Sequence, residues 1–209
     1  MKPDEFASKI SSYGPKEAIA TQTEICSFSE LSEKILEWEK VLERNSIAKG
    51  AVVSIFGEYG PKSIALLLAL MKNENIIVPI TVDSFPQKDK YTKIAQVEWE
   101  IDLTADPPRI EKLDMDASHE LYEILRNNNS PGLILFSSGS TGEPKAAVHD
   151  LCRVLSRYEK PGTSFRMLVF LQMDHIGGVN SLFYGLALPF THICLLTVSH
   201  IPRARSRCT

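Results

Sequence analysis

Cysteine is scarce and scattered in this sequence. Cys26, Cys152, Cys194 and Cys208 are the only four, with no CxxC pair and no histidine at a zinc-ligand spacing. That argues against a disulfide framework and a structural metal site, and a reducing compartment is expected. A basic surplus is missing as well: 23 Lys and Arg stand against 26 Asp and Glu, a net charge of -3. Nucleic-acid binding ordinarily needs a basic patch. The one basic cluster, Arg203, Arg205 and Arg207, falls in the last few residues, where a solvated tail is the ordinary reading. The opening residues MKPDEFASKI lack the apolar core of a secretory signal. The expectation is a cytoplasmic protein without a nucleic-acid partner.

One stretch free of Asp, Glu, Lys and Arg, residues 176–198, reaches membrane-spanning length. Asn180, Pro189, Thr191 and His192 interrupt it, and Gly177 and Gly178 open it. A buried helix over 179–188 followed by a buried strand over 191–198 accounts for the same run. No stable membrane insertion is expected.

What is present is an ordinary globular composition, 44% hydrophobic and 23% charged over 209 residues, enough for one sizeable core. Ser27-Phe28-Ser29-Glu30 has capping-box spacing, and Leu31, Ile35, Trp38 and Leu42 follow on one helical face. Residues 51–56 read as a short apolar strand. Pro61 suits a first helical position, 63–72 continue as an apolar helix, and 76–80 read as a second buried strand. Further helices are expected over 87–97 and 117–126, and a strand over 99–103. The polar run 127–132 is the best linker candidate. Helices and continuously apolar strands in alternation, with short connections, predict an α/β fold with a mainly parallel sheet flanked by helices.

The chemistry sits in LILFSSGSTGEPK. Residues 133–136 read as a strand, and Ser137, Ser138, Gly139, Ser140, Thr141, Gly142, Glu143, Pro144 and Lys145 leave its carboxyl end, where parallel α/β sheets bind ligands. Gly139 and Gly142 allow a sharp turn that brings backbone N–H groups close to an anion. Four hydroxyls offer further hydrogen bonds, and Lys145 brings a positive charge behind the stiff Pro144. A plain surface loop is the competing explanation, because Ser, Gly and Thr are common in turns. A P-loop is excluded by spacing, and no G-x-G-x-x-G fingerprint occurs.

SSGSTGEPK resembles the phosphate-binding signature of the adenylate-forming superfamily: acyl-CoA synthetases, peptide-synthetase adenylation domains and luciferases. Phe28-Ser29-Glu30-Leu31, Gly50-Ala51-Val52-Val53 and the run LLLALMKNENIIVPI are similar to that family's opening segments, with Asn73-Glu74-Asn75 in place of its small turn. The resemblance implies the N-terminal portion of the family's large domain over residues 1–198 and a divergent tail over 199–209. It implies attack of a small-molecule carboxylic acid on ATP, giving an acyl-adenylate, then transfer to a thiol of CoA or a carrier protein. Mg²⁺ is implied to share the phosphate charge. Ser137, Ser138, Gly139, Ser140, Thr141, Gly142 and Lys145 take the phosphate-binding role. Ala146 stands where the family usually has glycine, a restriction on the backbone behind the loop.

Phe170-Leu171-Gln172-Met173-Asp174-His175-Ile176-Gly177-Gly178 resembles the segment of acyl-CoA synthetases that closes on the acyl site. By that likeness His175 is a gate, and Gly177 and Gly178 give the substrate room. Peptide-synthetase domains use an Asp nearby for a substrate amine, a role open to Asp174; His-Ile-Gly-Gly fits the acyl-CoA type, with its setting in fatty-acid metabolism, better. His149 also has a counterpart, with a structural role. The family continues with a Tyr-Gly-x-Thr-Glu element that helps hold Mg²⁺, a ribose-binding Asp and a C-terminal domain bearing a catalytic Lys. None of these is in this sequence, which therefore holds no complete catalytic set and no metal ligands. Truncation, a frameshift or a missing C-terminal half is the expectation, and so is inactivity of the chain alone.

Overall fold

The computed structural model describes residues 1–138, 143–159, 166–188 and 192–195. Helix α1 (Pro3–Ser11) and strands β1 (Glu17–Ala20) and β2 (Ile25–Ser27) come first. Ser27 then caps α2 (Phe28–Arg44) as its spacing predicts. The Glu30 N–H donates to Ser27 Oγ at 3.2 Å, and the Ser27 N–H donates back to Glu30 Oε2 at 2.7 Å. This satisfies two N–H groups that a helix start otherwise leaves unpaired. Phe28, Leu31, Ile35, Trp38 and Leu42 form its buried face, each worth roughly 1.5–3 kcal/mol of transfer energy.

Strand β3 (Val52–Phe56), helix α3 (Pro61–Lys72) and strand β4 (Ile76–Ile80) follow. Both strands are buried along their whole length, and ten residues of α3 are buried. A helix apolar on all sides is stable only when covered on all sides; here the sheet lies on one side and α2 on the other. Next come α4 (Lys88–Ile94), β5 (Trp99–Asp102), β6 (Arg109–Lys112), α5 (Glu120–Asn127), β7 (Gly132–Ser138), β8 (Pro144–Asp150), α6 (Leu151–Leu155), β9 (Arg166–Val169), α7 (Ile176–Leu186) and β10 (His192–Leu195).

The larger sheet runs β6-β5-β3-β4-β7-β8, parallel at its centre, with antiparallel edges at β6 and β8. Side chains alternate across it. Val53, Ile55, Ile77, Leu133 and Leu135 join α2 and α3 in one apolar cluster. Val52, Phe56, Ile76, Val78, Ile80 and Ile134 join Ala95, Val97, Tyr122 and Leu125 in another. The sheet is thus covered on both faces, which is why its strands lack a polar alternation. A smaller sheet, β2-β1-β10-β9, joins the two ends of the described chain.

Several expectations shift. The strand expected over 133–136 extends to Ser138, because β8 returns antiparallel and pairs it to the end. The sheets are accordingly mixed. The run 127–132 is no domain linker: Ser130 is buried, its N–H donates to Leu125 O at 3.0 Å, and its hydroxyl donates to Asp150 Oδ1 at 2.5 Å. It is the tight turn that leads from α5 into β7. Helix α5 starts at Glu120 rather than 117, capped by the His119 ring. Helix α7 starts three residues before the expected 179. The strand expected over 191–198 is described only over His192–Leu195; the expected tail 199–209, with its three arginines and Cys208, lies outside the described residues. No helix among the described residues is long and apolar enough to cross a membrane.

Candidate active site at the carboxyl ends of β4 and β7

Strands β7 and β8 form a hairpin whose tip carries the glycine-rich segment. Ser137 is the register partner of Lys145, and Ser138 of Pro144. Directly opposed residues of an antiparallel pair share a face. The Ser137 and Lys145 side chains therefore leave the same face at the carboxyl end of β7, on residues exposed to solvent. Gly139, Ser140, Thr141 and Gly142 lie outside the described residues. Ala146 sits in β8 opposite Phe136 and is not among the positive-φ residues. It holds extended backbone that any L-residue adopts, so the expected restriction reduces to that of an ordinary strand.

Pro79 shapes the ground beside the hairpin. Even-numbered residues of β4 bond to β3: the Ile76 N–H donates to Ala51 O, and Ile80 O accepts from the Gly57 N–H. Odd-numbered positions turn toward β7, since Asn75 O accepts from the Gly132 N–H. Pro79 thus faces β7 without an N–H to offer. The β4–β7 ladder pairs only Ile76 with Gly132 and Ile77 with Leu133, and stops short of Pro79. A proline is tolerated in an interior strand here because its missing donor falls where two strands part. The parting lies at the carboxyl ends, on the ligand side of a parallel sheet.

The turn before α7 is fastened to this end. Thr81 Oγ1 and Ser84 Oγ, directly after β4, donate to Asp174 Oδ2 at 2.8 and 2.6 Å. Asp174 Oδ1 is buried without a hydrogen bond among the described residues, and His175 Nε2 lies 3.8 Å from it. His175 itself occupies the N-cap position of α7, with its side chain 62% exposed. From the opposite side the buried Tyr59 hydroxyl donates to Gly178 O at 3.3 Å, and burial pushes its phenol far above the usual range. A Cβ at Gly178 would meet Gln172 O at 2.1 Å and Leu171 O at 2.5 Å. The space it leaves is filled by the backbone of its own turn. At Gly177 a Cβ would meet only Leu171 Cδ1, at 2.6 Å, a flexible side-chain end.

His149 lies on β8 opposite Leu133, half-buried. Burial, then the charge of Arg157, holds its imidazole below the usual histidine range. The structure thus brings the two sequence-read segments, the hairpin and the His175 turn, to the ends of neighbouring strands. Sequence reasoning missed Thr81, Ser84 and Tyr59. Position was the available signal, because all three follow directly on the carboxyl ends of β3 and β4.

No family model matches the chain. Bacitracin synthase 1 of Bacillus licheniformis is 24% identical over 187 residues, which is 84% of this chain and 3% of that protein. Among solved structures, the N-terminal subdomain of Klebsiella oxytoca NpsA, in complex with 3-hydroxyanthranilyl-AMSN, superposes with a TM-score of 0.73 at 22% identity. It covers 93% of this chain and 52% of that one. The inhibitor-bound N-terminal domain of FACL13 from Mycobacterium tuberculosis gives a TM-score of 0.70 at 17% identity, covering 94% and 57%.

The fold is that of the N-terminal subdomain of adenylate-forming enzymes. This likeness of fold covers nearly the whole chain, which spans about half the length of these solved domains.

Proposed function

We propose that the chain is the nucleotide-binding portion of an AMP-forming acid–thiol ligase of acyl-CoA synthetase type. The supporting observation is the juxtaposition of Ser137 and Lys145 at the carboxyl end of β7, beside the parting that Pro79 makes next to β4. In this reading ATP is the substrate. Ser137, Ser138, Gly139, Ser140, Thr141 and Gly142 donate to its β and γ phosphates, and Lys145 balances their charge. A carboxylate entering beside His175 attacks the α-phosphate, breaks the bond to pyrophosphate and forms the acyl-adenylate. A thiol of CoA or a carrier protein then takes the acyl group and releases AMP.

Asp174 bears on the class of acid. Its Oδ2 already accepts two hydroxyl hydrogen bonds, which supports a structural carboxylate over one that binds a substrate amine. That favours the acyl-CoA reading over amino-acid activation. No group of three or more His, Cys, Asp or Glu side chains among the described residues is placed to hold a metal ion. Mg²⁺ needs no such cluster, because it is ordinarily held by one or two carboxylates together with substrate phosphates and water.

Calorimetry of ATP binding to the full chain tests the reading. Wild type is expected to bind, and Lys145→Ala to bind about tenfold more weakly through loss of a charge-assisted contact; a wild-type chain with no affinity for ATP refutes it. ATP–pyrophosphate exchange with a panel of carboxylic acids tests completeness. Because the chain spans about half of the matching domains, no exchange is expected from it alone. Acid-dependent exchange by the isolated chain would overturn that part.

A further inference from the structure

Helix α4 is puzzling as a structural element. It has seven residues, none of them buried, and a helix this short is not stable by itself. Three of its side chains, Lys88, Lys90 and Tyr91, are nonetheless engaged. The Tyr91 ring lies flat on Phe136, with centroids 3.9 Å apart and planes 2° from parallel. Phe136 is the residue directly before Ser137. The adjacent Lys90 places Nζ 2.5 Å from Glu143 Oε2, and Glu143 directly precedes Pro144 and Lys145. Two consecutive residues of one helix thus hold the two sides of the same hairpin tip.

The helix has the anchorage such a role needs. Lys88 Nζ donates to the buried Glu100 Oε1 of β5 at 2.6 Å and lies 4.9 Å from the centroid of the Phe56 ring. At the other end the Tyr122 hydroxyl donates to Ala95 O at 3.0 Å, tying the C-cap to α5. From this geometry we infer that α4 positions the two arms of the β7–β8 hairpin that carry Ser137 and Lys145, with Tyr91 as the principal positioning residue and Lys90 as a secondary one. The ranking follows from exposure: Glu143 is 72% exposed, so the ion pair is weakened by water and salt. The aromatic stack is half-buried and insensitive to salt. Phe136 and Ser137 project to opposite faces of β7. Fixing the Phe136 ring from the α4 side therefore steadies the backbone that carries Ser137 on the other.

The inference rests on the proposed nucleotide reading, and its test separates the two. In the nucleotide-free full chain, tryptic cleavage after Lys145 reports how firmly the hairpin is held. Tyr91→Ala is expected to speed that cleavage about fivefold and Tyr91→Phe to leave it unchanged, since the stack needs only the ring. ATP affinity, measured in parallel, is expected to fall about tenfold in Tyr91→Ala and to be retained in Tyr91→Phe. Lys90→Glu and Glu143→Lys are each expected to weaken ATP binding severalfold at low salt, with the double charge swap restoring it. That rescue is not expected of a lysine that only aids folding. If Tyr91→Ala fails to fold, the charge-swap set decides. Unchanged cleavage in a folded Tyr91→Ala variant, or a swap that does not restore affinity, overturns the inference. A wild-type chain that binds no ATP sinks the functional reading, and the cleavage rates then judge α4 without it.

Discussion

Thr81 and Asp174 lie 93 positions apart in the chain, yet the threonine hydroxyl donates to the Asp174 carboxylate at 2.8 Å. The contact binds the end of the central strand β4 to the turn that presents His175. Asp174→Ala would leave the buried Thr81 hydroxyl without its carboxylate acceptor, a loss of about 1–3 kcal/mol. Asp174→Asn keeps one carbonyl acceptor and is expected to lose less. Urea unfolding of the two variants measures both; an alanine variant as stable as wild type would show that the contact carries no weight.

Pro79 offers a second test. Pro79→Val supplies an N–H toward β7 and allows the ladder to run further. The new hydrogen bond, worth about 1 kcal/mol, is offset by about 0.4–1 kcal/mol from the freer unfolded chain. Stability should therefore change little, while ATP affinity falls severalfold as the strands close. Equal affinity in the two proteins would mean that the parting of β4 and β7 plays no part in binding.

The pH dependence follows from His149. Its imidazole is held below the ordinary histidine range by burial, then by Arg157. The unfolded chain therefore takes up this proton at a higher pH than the folded one. The corresponding stability is fully present above the usual value of about 6.5, and is lost as pH falls through the lowered one. Melting temperature is expected to drop below that pH in wild type and to drop less in His149→Gln. Parallel acid limbs would remove His149 as the cause.

Ser27→Ala removes the side-chain half of the α2 capping box. Loss of such a cap costs about 1 kcal/mol, visible as a lower denaturant midpoint with unchanged slope. Ser27→Asp, which keeps an acceptor at the cap, is expected to stay near wild type.

Much of the fold was legible because its signals are local. The capping box at Ser27, the Leu31–Ile35–Trp38–Leu42 face and the apolar strands around Val53 and Ile77 all depend on neighbours within one or two turns. The return strand β8 was not legible. Its sequence, PKAAVHD, has neither an apolar run nor a regular alternation, and only pairing with β7 makes it a strand. The short strands β1 and β9 are held by a partner strand, β10, and β2 is held by β1, so no local pattern marks them.

The candidate site divides the same way. The hydroxyls, glycines and lysine of residues 137–145 carry the proposed phosphate-binding reading by type and order alone. The contacts of the flanking residues with α4, Phe136 on Tyr91 and Glu143 on Lys90, needed the third dimension. So did the hydrogen bonds that Thr81 and Ser84 donate to Asp174.

By itself, then, the sequence determined α2, α3 and the buried strands β3, β4 and β7, because each is written in side chains a few positions apart. Tertiary structure alone decided that Pro79 turns its missing donor toward β7, that Ser137 pairs with Lys145, and that a seven-residue helix touches Phe136 and Glu143 beside them. Those relations depend on strand register and on contacts between distant segments, and no local pattern encodes either.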